Sequence, residues 1–100
     1  MSVICIYGKQ NSGKSVLAEK LVVTNKKIFD EAHSLNEINL GKNNTNILIY
    51  PSKDFIPKHI QRVCTIFYHC FVKDDIYQFK LETKIKLLNT KRGSGKSFGS

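Results

Sequence analysis

A chain of 100 residues with a formal net charge of +8 predicts one small basic domain, and its hydrophobic content of 41% excludes wholesale disorder. The apolar runs are far shorter than the roughly 18 residues that cross a membrane, so we expect no membrane-spanning segment. No basic leader precedes the first apolar run, and Cys5, Cys64 and Cys70 lack C-x-x-C spacing. We therefore expect reduced core cysteines and a cytoplasmic location.

The first half of the chain alternates short apolar runs with one helical pattern. Residues 2–7 (SVICIY) are a continuous β-branched and aromatic run, which predicts a strand buried on both faces. A glycine-containing loop follows, and KSVLAEKLVVT then places Val16, Leu17 and Leu21 at helical spacing. The segment KKIFDEAHS predicts a second short strand that ends in two acids. The polar segment LNEINLGKNNTN predicts a short helical turn and a loop.

The second half begins with a third apolar strand, NILIYPS, which Pro51 stops. The segment DFIPKHIQRV predicts a short helix with Asp54 as its N-cap and Pro57 in its first turn. A fourth strand, CTIFYHCFV, follows directly. The alternation of helical and apolar segments therefore continues to residue 72.

The C-terminal part of the chain predicts a β-hairpin and a tail. Asp74 and Asp75 indicate a turn into IYQFKLE, where apolar and polar residues alternate, and KIKLL indicates one more strand. The final segment is basic and has almost no apolar content. We therefore expect a domain over residues 1–90 and a flexible basic tail over residues 91–100.

The order of these elements predicts an α/β domain with a mainly parallel sheet, flanking helices and a C-terminal β-hairpin. Crossover connections between parallel strands are almost always right-handed, and this leaves few arrangements of the core. We expect strand 2–7 in the centre of the sheet, between segments 47–51 and 63–72.

The loop after the first strand carries a phosphate-binding pattern, because GKQNSGKS matches G-x-x-x-x-G-K-[S/T] at every fixed position. Gly8 allows a sharp turn, and Gly13 allows backbone N–H groups to approach a phosphate. Lys14 can reach the β- and γ-phosphates, and Ser15 can offer its hydroxyl to Mg²⁺. The strand before the loop and the helix after it favour a nucleotide loop over an ordinary turn. We predict that ATP and Mg²⁺ bind at Gly8, Lys9, Gln10, Asn11, Ser12, Gly13, Lys14, Ser15 and Val16.

Two adjacent acids follow the second strand in the string IFDEAH. Asp30 is expected to hold Mg²⁺ together with Ser15, and Glu31 is expected to polarise the water that attacks the γ-phosphate. Lys14 and Glu31 are thus the predicted catalytic residues within the two motifs. The alternative for the acids is a surface pair at the start of a helix, and His33 is expected to cap that helix or lie on the surface.

Together, YGKQNSGKS, IFDEAH and ILIYPSKDFIPKHIQRVCTIFYH resemble the P-loop ATPases of the FtsK/HerA-like type. The likeness is closer to viral genome-packaging and filamentous-phage morphogenesis (zonula occludens toxin-like) ATPases, and it covers residues 2–72. It implies a P-loop NTPase-like fold, ATP hydrolysis coupled to DNA translocation or packaging, a homo-oligomer, and the host cytoplasm if the protein is viral. FIPKHIQR is similar to an arginine-bearing family segment, which implies that Arg62 reaches a neighbouring copy's γ-phosphate.

The charge of the chain is compatible with a nucleic-acid partner, and DNA is the expected one. Residues 51–100 carry ten basic and four acidic side chains, a net charge of +6, whereas residues 1–50 carry six and four, a net charge of +2. A basic region of this kind suits a polyanion. The alternative is a lysine-rich face that is simply solvated.

Two features depart from the family that the chain resembles. Only fifteen residues separate Lys14 from Asp30, so the strand and helix that relatives place there are missing. The third strand ends in YPS, which leaves Tyr50 or Ser52 as the polar sensor, or none. These departures indicate a minimal or truncated version. A nucleotide-binding accessory module without turnover remains an alternative, as does a small nucleotide kinase, although two arginines are few for a kinase lid.

Overall fold

The computed structural model describes residues 2–35 and 38–83, and strands alternate with helices along them. The strands are β1 (Ser2–Tyr7), β2 (Lys26–Phe29), β3 (Thr45–Tyr50), β4 (Ile66–Lys73) and β5 (Ile76–Glu82), and the α-helices are α1 (Lys14–Lys20) and α2 (Lys58–Val63). Two short 3-10 turns, Ala32–Ser34 and Lys53–Phe55, lie in the connections. Both α-helices are too short to cross a bilayer, and the described residues contain no helix that could span a membrane.

The five strands form one mixed sheet in the order β2-β3-β1-β4-β5. β1 pairs in parallel with β3 and with β4, and β2 pairs in parallel with β3, whereas β5 runs antiparallel to β4. The prediction of a small α/β domain with a mainly parallel sheet is therefore confirmed. The prediction that residues 2–7 form the central strand, flanked by the third and fourth strands, is also confirmed.

The side chains of β1 enter two hydrophobic cores, one on each side of the sheet. The core beside α2 contains Val3, Cys5 and Tyr7 with Leu48, Tyr50, Ile60, Cys64 and Phe67. The core beside α1 contains Ile4 and Ile6 with Ala18, Ile47, Ile49 and Cys70. Because helices cover both faces, the central strands have no solvated side, which explains their unbroken apolar sequences. The three cysteines are buried, as predicted, and none of them forms a disulfide.

The second helix begins later than the sequence predicts. α2 starts at Lys58 and is preceded by Pro57, while Asp54 lies in the 3-10 turn Lys53–Phe55. The prediction of Asp54 as the helix N-cap is therefore wrong. Pro57 disfavours helical geometry in the residue before it, and Ile56 is accordingly extended with φ −81° and ψ 114°.

The fourth and fifth strands are joined by a two-residue turn at Asp74 and Asp75, as predicted. Both residues have positive φ, 54° and 61°, and short-chain acids tolerate this region better than most residues. β5 is also held to the centre of the sheet because the Tyr7 hydroxyl donates a hydrogen bond to the Glu82 carboxylate. The predicted KIKLL strand of the C-terminal hairpin and the tail fall within residues 84–100, outside the described residues.

Candidate functional site

β1, β2 and β3 are parallel, so their carboxyl ends lie together at one end of the sheet, and a cleft of about 580 Å³ opens there. Ligands of open α/β sheets bind at this end, just outside the carboxyl ends of the strands. The cleft is lined by residues 10–16, Asp30, Glu31, His33, residues 49–51 and Tyr77. The loop and the acidic pair, which the sequence predicts as one site, therefore line the same cleft.

The two glycines of the loop are required by close packing. Gly13 has φ +89°, and a Cβ added there would lie 2.9 Å from Cγ of Tyr77. A Cβ at Gly8 would collide with the carbonyl oxygen of Cys70 and would lie 2.7 Å from Oγ of Ser12. The loop backbone is therefore pressed against β4 and β5, and neither position leaves space for a side chain.

Lys14 folds back over the loop that precedes it. Its Nζ donates hydrogen bonds to the carbonyl oxygens of Gly8, at 2.6 Å, and Lys9, at 2.9 Å. A lysine ammonium has three donors, so one remains for an anion in the cleft. Burial lowers the pKa of Lys14, and the neighbouring Cys70 and, to a smaller extent, Asp30 oppose that shift. Gly8 and Lys9 thus serve the site by holding Lys14, whereas neither lines the cleft itself.

The backbone of the loop presents several N–H groups without protein acceptors. Within the described part of the chain, the N–H groups of residues 9–16 make no well-formed hydrogen bond, whereas Gly8 donates to Tyr50 and Leu17 donates to Gly13. The Ser12 side chain is buried, and its Oγ also has no described partner. Backbone N–H groups in turns that mix right- and left-handed residues form concave anion sites, and Asn11 and Gly13 supply the positive φ values here.

The acidic pair lies in the tight turn that follows β2. Glu31 has φ 56°, and its carbonyl oxygen accepts hydrogen bonds from the N–H and the hydroxyl of Ser34. Asp30 and Glu31 are exposed at the rim of the cleft, which His33 also lines. The ring of His33 packs edge-to-face against Phe55, with 5.7 Å between the ring centroids. Instead of a long helix, a three-residue 3-10 turn follows the acids. His33 lines the cleft and caps no α-helix, and its exposed side chain confirms the alternative prediction of a surface histidine.

Ser15 and Asp30 are the pair predicted to hold Mg²⁺, and both line the cleft. Among the described residues, no group of three His, Cys, Asp or Glu side chains is placed to hold a metal ion. Mg²⁺ at a phosphate site does not need one, because it is usually held by one or two protein oxygens together with substrate phosphates and water.

Three other predicted residues lie away from the cleft or turn from it. Arg62 is exposed in the last turn of α2. This helix leads into the start of β4, at the amino-terminal end of the parallel strands and thus opposite the cleft. Its predicted role concerns a neighbouring copy and stays a prediction. The hydroxyl of Tyr50 is buried in the α2-side core, where burial raises its pKa, and Ser52 does not line the cleft. Neither residue offers its hydroxyl to the cleft as a sensor would.

Tyr77 is a cleft residue that the sequence did not predict. β1 ends where Tyr7 pairs with His69, but β4 continues to Lys73, so its last residues run beside the loop. The start of β5 pairs with this extension, and Tyr77 lies opposite Val72. In the sequence, Tyr77 appears only as one apolar residue of an alternating strand. Its position depends on how far β4 extends past β1, which spacing along the chain does not reveal.

Comparison with protein-family models, curated proteins and solved structures returns no match to this chain.

Proposed function

We propose that this chain is a P-loop protein that binds ATP with Mg²⁺ at the cleft, hydrolyses it, and couples hydrolysis to DNA translocation or packaging. The proposal depends on one observation above the others. The loop with the GKQNSGKS sequence follows the central strand, is tied together by Lys14, and opens into the same cleft as Asp30 and Glu31. The resemblance to FtsK/HerA-like ATPases adds the DNA-coupled activity and the homo-oligomer.

The residues of the loop fit a chain of phosphates. The N–H groups of residues 9–16 and the remaining proton of Lys14 are donors that make no well-formed hydrogen bond to the described residues. Gly13 keeps the backbone free of a Cβ. Such donors satisfy phosphate oxygens, and hydrogen bonds to a charged group are stronger than those between neutral groups.

The hydroxyl of Ser15 and the carboxylate of Asp30 fit Mg²⁺, which prefers oxygen ligands and, when bound, neutralises phosphate charge and favours attack at the terminal phosphorus. Lys14 holds the phosphate charge, and Glu31 orients and polarises a water molecule. β3 lies between the strand of the loop and the strand of the acids, which separates them by about 10 Å at normal strand spacing. Lys14 and Glu31 both line the cleft that lies at these strand ends.

The direct test is a nucleotide titration of the wild-type protein beside assays of phosphate release with and without DNA. We expect ATP binding that requires Mg²⁺, and phosphate release that increases with DNA. The protein would instead be an accessory module if it binds ATP but releases no phosphate under any of three conditions: alone, with DNA, and at high protein concentration. Phosphate transfer to added nucleosides would indicate the kinase. Size measurement with and without ATP tests the homo-oligomer.

Replacing Asp30 with asparagine is expected to weaken ATP binding in the presence of Mg²⁺ by about tenfold, the order of effect for one charge-assisted contact. The same change should alter binding little when EDTA removes the metal, because the lost charge acts through Mg²⁺. Paired titrations with Mg²⁺ and with EDTA measure both values. Asp54→Asn is the matched control, because Asp54 is exposed and lies outside the cleft. Equal affinities of Asp30→Asn and wild type in Mg²⁺ would remove Asp30 from the metal site.

DNA coupling is proposed from the charge distribution, since residues 84–100 contain five Lys and Arg and no Asp or Glu. Replacing the three basic residues of segment 91–100 with glutamine should weaken DNA binding. The slope of log affinity against log salt concentration should fall by about two to three, because each lost phosphate contact removes 0.7–0.9. The control neutralises three exposed lysines elsewhere: Lys20, Lys42 and Lys58. An equal loss of slope in both variants would show that overall charge, and not this segment, binds DNA.

A further inference from the structure

Tyr77 is an aromatic side chain that the fold leaves exposed beside the phosphate loop. It is 58% exposed, it lines the cleft, and its ring lies against Gly13. Phe79, two residues along the same strand face, is 56% exposed but contacts Tyr68 and does not line the cleft. Exposure therefore does not distinguish the two rings, whereas position at the cleft does.

The sheet order places the parts of the cleft in a line. The acids follow β2 at one edge, the loop follows β1 in the centre, and Tyr77 begins β5 at the other edge. β1 is two strands from β2 and two strands from β5, or about 10 Å in each direction at normal strand spacing. A nucleoside triphosphate has the same linear order, with its terminal phosphate at one end and its base at the other.

The direction of the ligand in this line is fixed by chemistry. The metal and the attacking water belong at the terminal phosphate, so that end lies toward Asp30 and Glu31. The ribose and base then extend past the loop in the other direction, toward β5. Tyr77 is the aromatic ring in the described part of the cleft on that side of the loop.

We infer that Tyr77 is the platform on which the base of the bound nucleotide stacks. This inference rests on the proposed nucleotide site and assigns its base-binding end. Stacking on an aromatic ring needs only an open π face, which every base can use. The tyrosine is positioned for this by the turn at Asp74–Asp75 and by the pairing of its strand with the extension of β4.

The experiment compares two ligands, ATP and inorganic tripolyphosphate, each titrated with Mg²⁺ against the intact chain. Tyr77→Ala should weaken ATP binding by at least about fivefold, the lower end of the range for one stacked base, and should leave tripolyphosphate binding within about twofold of wild type. Tyr77→Phe keeps the ring and should bind ATP as wild type does. Phe79→Ala is the matched control, with an equally exposed ring removed from the same strand face, and should bind both ligands normally.

Two results would overturn the inference. An equal loss of ATP and tripolyphosphate affinity in Tyr77→Ala would show that the ring only supports the loop through Gly13. Unchanged ATP affinity in Tyr77→Ala would show that the base lies elsewhere. Lys14→Ala separates this inference from the proposal beneath it, because it should weaken both ligands. If Lys14→Ala binds both as wild type does, the phosphate site itself is wrong, and the role of Tyr77 falls with it.

Discussion

Replacing Glu31 with glutamine is expected to leave ATP bound while it lowers the rate of phosphate release by about 10²–10⁴-fold, the range usual for a general base. Glutamine keeps the size of the side chain and most of its hydrogen bonding, but it loses the charge that orients and polarises water. Glu31 lines the cleft from a left-handed backbone position that glutamine would share at similar cost. The variant should therefore separate binding from turnover.

Steady-state phosphate release and a nucleotide titration on the same preparation, with DNA present, measure both parts of the Glu31→Gln effect. Glu19→Gln is the control, since Glu19 is an exposed residue of α1 outside the cleft, and it should behave as wild type in both assays. Wild-type turnover by Glu31→Gln would show that this residue is only a surface acid. The catalytic base would then have to be another group at the cleft, and His33 would be the next candidate.

Replacing Lys14 with alanine is expected to weaken ATP binding by at least about tenfold, because a hydrogen bond to a charged group is worth roughly 1.5–3 kcal/mol. The two hydrogen bonds that tie Lys14 to the carbonyl oxygens of Gly8 and Lys9 are lost as well. The loop then loses both its contact with the phosphates and the side chain that holds its two ends together. The effect should appear as weaker binding in a direct titration.

Lys20→Ala is the matched control for Lys14→Ala. Both lysines belong to α1, but Lys20 is exposed in its last turn and does not line the cleft. Thermal unfolding of the two variants identifies any general loss of stability. Equal ATP affinities for Lys14→Ala and wild type would refute the phosphate site.

The parts of the fold that were predictable from the sequence are those that depend on local patterns. Residues 2–7 are apolar throughout because helices cover both faces of β1, and such a run predicts a central strand. The loop from Gly8 to Ser15 and the acids at Asp30 and Glu31 each stand directly after a strand. Since parallel strands present their carboxyl ends at one edge, both motifs are expected at a common cleft.

The two predictions that failed and the cleft residue that was not predicted have different physical causes. Asp54 looks like a helix cap, but Pro57 forces the residue before it into an extended conformation and delays the start of α2. Tyr50 ends the third strand as a sensor would, yet the alternation of side chains turns its hydroxyl into the α2-side core. Tyr77 reaches the cleft because β4 extends past the end of β1 and β5 pairs with that extension. The position of Tyr77 cannot be read from spacing along the chain, whereas the restriction before Pro57 and the alternation along β3 are local rules that already argue against the other two predictions.

The place of β3 between β1 and β2 determines when the site can form during folding. The loop and the acids are close in sequence, but their strands pair with Thr45–Tyr50 and not with each other. Asn46 fixes the start of that strand, because its buried side chain donates to the carbonyl oxygen of Ser2 at 3.1 Å and accepts from the N–H of Gly41 at 2.9 Å. The long-range pairing of β1 with β3 must therefore be complete before the two motifs meet, and such contacts form late because they close long loops. A nascent chain that ends before β3 would carry both motifs and still lack the cleft.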